Sequence, residues 1–233
     1  MTNKICVITG VGPGTGKALV NKFASEGYSV AMIARDNVRL AKIAKEVPNT
    51  FSFPCDVSDE DSVNEMAKKV VTTLGEPDVV FHNAVRGTFG GFLEISPGEL
   101  EENFKVNTMG MLYVARAFAP GMVKRKKGVL MASGNTSALR GKPRFAAFAP
   151  SKAAQRILCE SLARDLGPKG IHVAYLVIDA VIDLEWTRKM FSEEKDEFFI
   201  NPKAIAETAY HVAHQDRSAW SFNVEVRPFC EQW

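Results

Sequence analysis

The sequence predicts an α/β fold, a doubly wound parallel sheet of about seven strands with helices on both faces. Three observations predict it. Short apolar runs and helical patterns alternate almost without exception, the order of βαβ units. The first run is β-branched and continuous, as in a parallel strand buried on both faces. A glycine cluster stands in the first strand-to-helix turn, where doubly wound sheets bind phosphates.

The elements follow in order. Lys4 to Thr9 is the first strand. After the glycines, Lys17 to Glu26 places Leu19, Val20, Phe23 and Ala24 at helical spacing, with Gly27 at the C-terminal stop. Tyr28 to Ala34 is the second strand, and Asp36 caps a helix through Glu46. Thr50 to Pro54 is the third strand, and Ser58 or Asp59 opens a helix to Leu74. Asp78 to His82 is the fourth strand. Ser96-Pro97, with Glu99 behind it, starts another helix. A long helix is expected from about Val106 to Lys126, with an interruption near Pro120. Gly128 to Ala132 is a strand, Phe145 to Leu166 a helix and Ile171 to Ile178 the sixth strand. A polar, acidic segment spans Asp183 to Asn201. Pro202 to His214 is a helix, and Phe222 to Val226 a final strand. Together these describe a Rossmann-type sheet.

The chain has 233 residues, 46% hydrophobic and 24% charged, the mix of a globular protein. No linker or repeat divides it, so residues 1–233 are expected to form one domain. Lys+Arg is 29 against Asp+Glu at 27, a net charge of +2, which gives no footprint for nucleic acid. No apolar run approaches a membrane span. Cys6, Cys55, Cys159 and Cys230 are scattered without CxxC spacing and read as reduced thiols of a cytoplasmic protein. No metal site is expected. His211 and His214 share a predicted helix, but a solvated face explains them. Lys124 to Lys127 likewise closes a helix as solvated cations.

Thr9-Gly10-Val11-Gly12-Pro13-Gly14-Thr15-Gly16 joins the first strand to the first helix. Glycines allow a tight turn and close backbone approach to a pyrophosphate. The helix N-terminus behind them offers N–H donors and partial positive charge. Gly10, Gly14, Thr15 and Gly16 are therefore cofactor-binding candidates, against the alternative of a turn with no ligand. The second strand ends in Ala34, followed by Arg35 and Asp36. An acidic residue at the strand end would favour NAD, whereas a guanidinium suits a 2′-phosphate. NADP is expected, with NAD the lesser alternative.

The fingerprint TGxxxGxG in this place resembles that of the short-chain dehydrogenase/reductase family. The likeness extends along nearly the whole chain. Asp56-Val57 is similar to the family's adenine-contacting pair, and His82-Asn83-Ala84-Val85 to its Asn-Asn-Ala-Gly motif. Asn83 and Ala84 are the two residues kept. Asn107 matches the family's catalytic asparagine, and Lys152 the lysine of its Tyr-x-x-x-Lys motif. The resemblance implies hydride transfer between a nicotinamide and a small-molecule carbonyl or alcohol. It places Ile178, at the end of the sixth strand, and Val181, after it, among the cofactor contacts. It also implies a homodimer or homotetramer built on the two long helices, where Met111, Phe118, Ile157 and Leu158 are apolar. The segment 183–201 would form a substrate lid. Trp186, Phe191, Phe198 and Phe199 either line the pocket from it or anchor it.

Two departures stand out. Four residues before Lys152 lies Phe148, where the family has its tyrosine acid. Asn135 falls where its catalytic serine would be, with Ser133, Thr136 and Ser137 nearby. None of the four tyrosines (Tyr28, Tyr113, Tyr175, Tyr210) falls at the acid position. The family's Pro-Gly after the sixth strand is Ile178-Asp179 here. Two readings follow. Either the protein is an NADP-dependent oxidoreductase with an altered or weakened site, Lys152 or a neighbour supplying the proton. Or it binds NADP without chemistry, as a regulatory or scaffold protein. Lys152 could hold a ribose and Asn107 could mark a helix kink in either case.

Overall fold

The computed structural model describes residues 4–231. Seven parallel strands form one sheet: β1 (Lys4–Thr9), β2 (Tyr28–Ala34), β3 (Thr50–Pro54), β4 (Val79–His82), β5 (Gly128–Asn135), β6 (Ile171–Ile178) and β9 (Asn223–Val226). Their spatial order is β3-β2-β1-β4-β5-β6-β9, so the chain reverses direction across the sheet between β1 and β4. Two short strands, β7 (Val181–Ile182) and β8 (Phe199–Ile200), pair separately.

Alternate residues of each strand feed opposite cores. Cys6 and Ile8 of β1 pack with Leu19 and Phe23 of α1 (Thr15–Ser25), Leu40 of α2 (Asn37–Glu46) and Ile205 of α8 (Pro202–Ala213). Val7 faces the other way, into a cluster with Val63 of α3 (Glu60–Thr73), Met111 and Phe118 of α5 (Gly110–Arg125) and Cys159 of α6 (Ala149–Leu166). This double burial is why the strands carry so few polar residues.

The expected caps form. Asp36 accepts from Arg39 N, Asp59 from Asp61 and Ser62 N, and Ser96 with Glu99 makes a capping box on α4 (Pro97–Phe104). Several boundaries differ from expectation. Residues Lys105–Met109 form a π-helical turn, so the long helix begins at Gly110, and it runs unbroken past Pro120. The helix expected from Phe145 begins at Ala149 behind a turn, leaving Phe148 just outside it. The polar, acidic segment after β6, for which no strand is expected, holds α7 (Glu185–Met190) and β8. Phe222 precedes the last strand rather than opening it.

Strand register sets the site. Thr9 is level with Ile33 of β2 and His82 of β4, and Asn135 is level with Ile178 of β6. The C-terminal ends therefore open together on one edge, the place where open α/β sheets bind ligands.

Candidate functional site

A cleft of about 810 Å³ lies across these strand ends. Its floor is the turn Gly10–Gly16. Gly10 has φ +67°, and a Cβ there would collide with the backbone of Ala84. A Cβ on Gly16 would meet Gly10 O. These two glycines are demanded by the packing, whereas a Cβ on Gly12 would meet nothing. No side chain caps α1, whose first turn opens into the cleft. Thr15 Oγ1, buried in that turn, has no hydrogen-bond partner.

One end of the cleft is cationic. Arg35 follows β2, and Arg39 lies one turn on in α2; both are on the wall. Arg35 is 74% exposed along its side chain and only 3.9 Å from Asp56, and Arg39 is 3.2 Å from Asp36. Arg39 is not singled out by the sequence, although its i,i+4 spacing from Arg35 is visible there. Asp36 is occupied as the cap of α2. Asp56 is partly buried, which opposes ionisation. Hydrogen bonds from Ser58 Oγ and N, helped by the Arg35 charge, nonetheless hold its carboxyl below the usual range. Val57, Asn83 and Ala84 continue the wall, and Asn83 Nδ2 donates to Gly10 O at 3.0 Å.

The other end gathers Ser133, Gly134, Asn135, Lys152, Ile178, Ala180 and Ile182. Val181 lies between the last two, in β7, but is not on the wall. Leu184 and Trp186 of the later segment are also on the wall, Leu184 lying against Gly14 of the glycine turn. Phe191, Phe198 and Phe199 instead pack on one another, and Arg188 lies over Phe199, so they anchor that segment.

Asn135 Oδ1 accepts from Ser137 N, which leaves its Nδ2 available. Lys152 is 2% exposed. Its Nζ donates to Ser133 O at 2.8 Å and to Gln155 Oε1. Burial pushes its pKa down to about 7.

Asn107 and Phe148 lie off the wall. Asn107 sits in the π-helical turn, fully buried. Its Oδ1 accepts from Arg86 N, and its Nδ2 donates to Arg86 O and Ser151 Oγ. Its side chain thus clamps the loop after β4. Phe148 is 4% exposed and packs under Phe89 and Phe145, ring centroids 5.2 and 6.5 Å away. None of the four tyrosines lines the cleft: Tyr28 bonds His214, and Tyr175 bonds Gln155. His214 is held by Tyr28 and Tyr210 O, and among the described residues no group of three candidate ligands could hold a metal.

The comparisons agree with this geometry. The family model described as short chain dehydrogenase matches residues 4–194. An uncharacterized oxidoreductase of Staphylococcus aureus is 25% identical over 233 residues, 98% of each chain. A metagenomic short-chain oxidoreductase solved with NADP superposes with a TM-score of 0.85 at 27% identity, covering 98% of both chains. An alcohol dehydrogenase from the archaeon Thermococcus sibiricus, solved with 5-hydroxy-NADP, does so with a TM-score of 0.87 at 27% identity and the same coverage. With the family model spanning most of the chain, and the glycine turn, the switch point and the strand-end cleft all in place, the chain belongs to the short-chain dehydrogenase family of oxidoreductases.

Proposed function

We propose that the cleft binds a nicotinamide dinucleotide, NADP in preference to NAD, and that the protein oxidises or reduces a small alcohol or carbonyl with an atypical site. In that site Phe148 stands where the family places its tyrosine. The observation that carries the cofactor reading is the unpartnered, buried Thr15 Oγ1 beside two glycines where any Cβ would meet backbone. A pyrophosphate fits that cradle. Gly10, Gly14, Thr15 and Gly16 would hold it, Arg35 and Arg39 a 2′-phosphate, and Asp56 with Val57 the adenine. Asn83, Ala84, Ile178 and Lys152 would flank the remainder; Val181, expected among these contacts, lies off the wall. The NADP and 5-hydroxy-NADP held by the two solved relatives support the same choice.

Bound there, the cofactor would supply hydride chemistry. The chain supplies the rest. Lys152 Nζ keeps one N–H beyond its two protein acceptors, and its lowered pKa lets it give and take a proton near neutrality. Asn135 Nδ2, at the end of β5, would polarise a carbonyl oxygen. Leu184, against Gly14, would narrow the cleft over the glycine turn. The second reading, an NADP-binding pseudoenzyme serving as a regulator or scaffold, is favoured by the aromatic packing that seals Phe148. We infer one domain over residues 1–233, of which the first three and last two residues lie outside those described. The four cysteines are free, three of them buried, which fits a cytoplasmic setting. No helix among the described residues is long and apolar enough to cross a membrane.

Isothermal titration tests the cofactor choice. The wild type is expected to bind NADPH more tightly than NADH. Arg35→Ala/Arg39→Ala is expected to weaken NADPH by about 10- to 100-fold, the worth of one or two charge-assisted contacts, with NADH little changed. Tighter NADH binding by the wild type would overturn the choice.

We also propose a homodimer or homotetramer through α5 and α6. Met111 and Phe118 prove to be sheet-facing core and Leu158 is partly buried against it, which leaves Ile157, 57% exposed, as the apolar contact. Light scattering is expected to return at least twice the chain mass; a monomer removes this assembly.

A further inference from the structure

Two buried polar groups beside Lys152, Gln155 and Tyr175, are left over from the account above. Gln155 lies three residues beyond Lys152 on the same face of α6 and is fully buried. Its Oε1 accepts from Lys152 Nζ and, at 3.2 Å, from Tyr175 OH. Its Nε2 donates to Asn107 O at 2.7 Å. The amide orientation is fixed by its partners, since two donors face one end and a carbonyl faces the other. Tyr175, also fully buried, reaches this point from β6 only because residue 134 is glycine: a Cβ there would run into the tyrosine ring.

We propose that Gln155 and Tyr175 are positioning residues for Lys152, holding its ammonium at the end of β5 and tying it to the Asn107 turn. Lys152 then has two of its three N–H bonds committed to Ser133 O and Gln155 Oε1. One is left for a ligand in the cleft. Tyr175 OH, its one hydrogen shared between the same Oε1 at 3.2 Å and Lys152 O at 3.3 Å, limits how strongly that oxygen can hold the ammonium. The titratable groups facing Lys152 are His82 of β4, Cys159 of α6 and Tyr175 itself. Burial pushes His82 down to about 3, so it is neutral, and pushes the thiol and phenol up, so they stay protonated. None is a carboxylate, and the dipoles of Gln155 and Ser133 are what stabilise the charge. The functional consequence rests on the cofactor reading; the arrangement itself does not.

The test is an NMR titration of the full chain, cofactor-free, carrying ¹⁵N-labelled lysine. Lys152 Nζ is assigned by the resonance lost in Lys152→Met. The wild-type midpoint is expected well below that of the surface lysines. Gln155→Glu puts a carboxylate against the ammonium and is expected to raise the midpoint by about 1 to 3 pH units. Gln155→Met removes the acceptor and is expected to lower it by about half a unit or more. If either variant fails to melt cooperatively, the other carries the test, and Tyr175→Phe adds a third, expected to raise the midpoint slightly. A midpoint that stays put in a folded Gln155 variant overturns the proposal. NADPH titration of the wild type keeps the two readings apart. No NADPH binding with a responsive midpoint sinks the cofactor reading alone. NADPH binding with an unmoved midpoint sinks this one alone.

Discussion

Lys152→Met is expected to lower NADPH-dependent turnover by about 10²- to 10⁴-fold, the usual worth of a positioned proton donor. Lys152 is the titratable group that the cleft presents beside Ser133 and Asn135. With phenylalanine at 148, no aromatic hydroxyl is placed to stand in for it. The same substitution carries a stability signature. The folded-state pKa of Lys152 lies near 7, against the 10.5 of an ordinary lysine. Between those values the unfolded chain binds more protons than the folded one, so wild-type stability rises with pH. Burial raises the pKa of the Cys6 and Cys159 thiols above their ordinary value of 9.0, which reverses the trend at higher pH. The rise is therefore read between pH 7 and 9, by denaturant unfolding. It should flatten in Lys152→Met, and equal slopes for the two proteins would show that this lysine is not held in a depressed state.

Gly10→Ala is expected to be the most damaging single change in the cradle. The residue needs a left-handed backbone, which costs a Cβ-bearing residue about 1–2 kcal/mol. The new methyl also meets the Ala84 backbone, which cannot swing aside like a side chain. Adding an overpacking cost of about 1–3 kcal/mol gives a loss of about 2–5 kcal/mol. Relief would come from parting the turn and the end of β4, where Asn83 Nδ2 bonds Gly10 O. NADPH affinity is expected to fall about 100-fold or more, the worth of two charge-assisted hydrogen bonds. Gly12→Ala is the control. It sits in the same turn with no protein atom in the way, so its melting temperature should stay close to wild type and its NADPH affinity should fall far less than that of Gly10→Ala. If the two variants behave alike, the cradle does not work through backbone approach.

Much of this was legible in the residues because it is local. The strand ends, the Asp36 and Ser96 caps and the glycine turn each depend on a few neighbours in sequence, and their chemistry is specific. The π-helical turn at Lys105–Met109 was not legible, since apolar spacing over five residues looks the same in either helix. Lys152 could be placed in the site from the sequence, but not the direction of its ammonium. That direction is set by Gln155 three residues on and by Tyr175 from another strand. The Gln155 spacing was visible; the Tyr175 contact was not, because β6 and β5 come together only in the sheet. Tyr175 looked like one more buried aromatic in a strand. Its partner signal, Gly134 near the end of β5, is intelligible only once the two strands are seen side by side. The sealing of Phe148 by Phe89 and Phe145 is similarly a product of two loops meeting, through the Gly90–Phe145 bridge.

The central claim is that the cleft performs hydride chemistry without the family's tyrosine. The measurement that tests it most directly is NADPH oxidation with a panel of small aldehydes and ketones, run on the wild type and Phe148→Tyr side by side. The account predicts turnover of at least one carbonyl by the wild type, above the Lys152→Met background. NADPH binding with no turnover by the wild type, but turnover by Phe148→Tyr, would contradict it and establish the protein as a cofactor-binding pseudoenzyme.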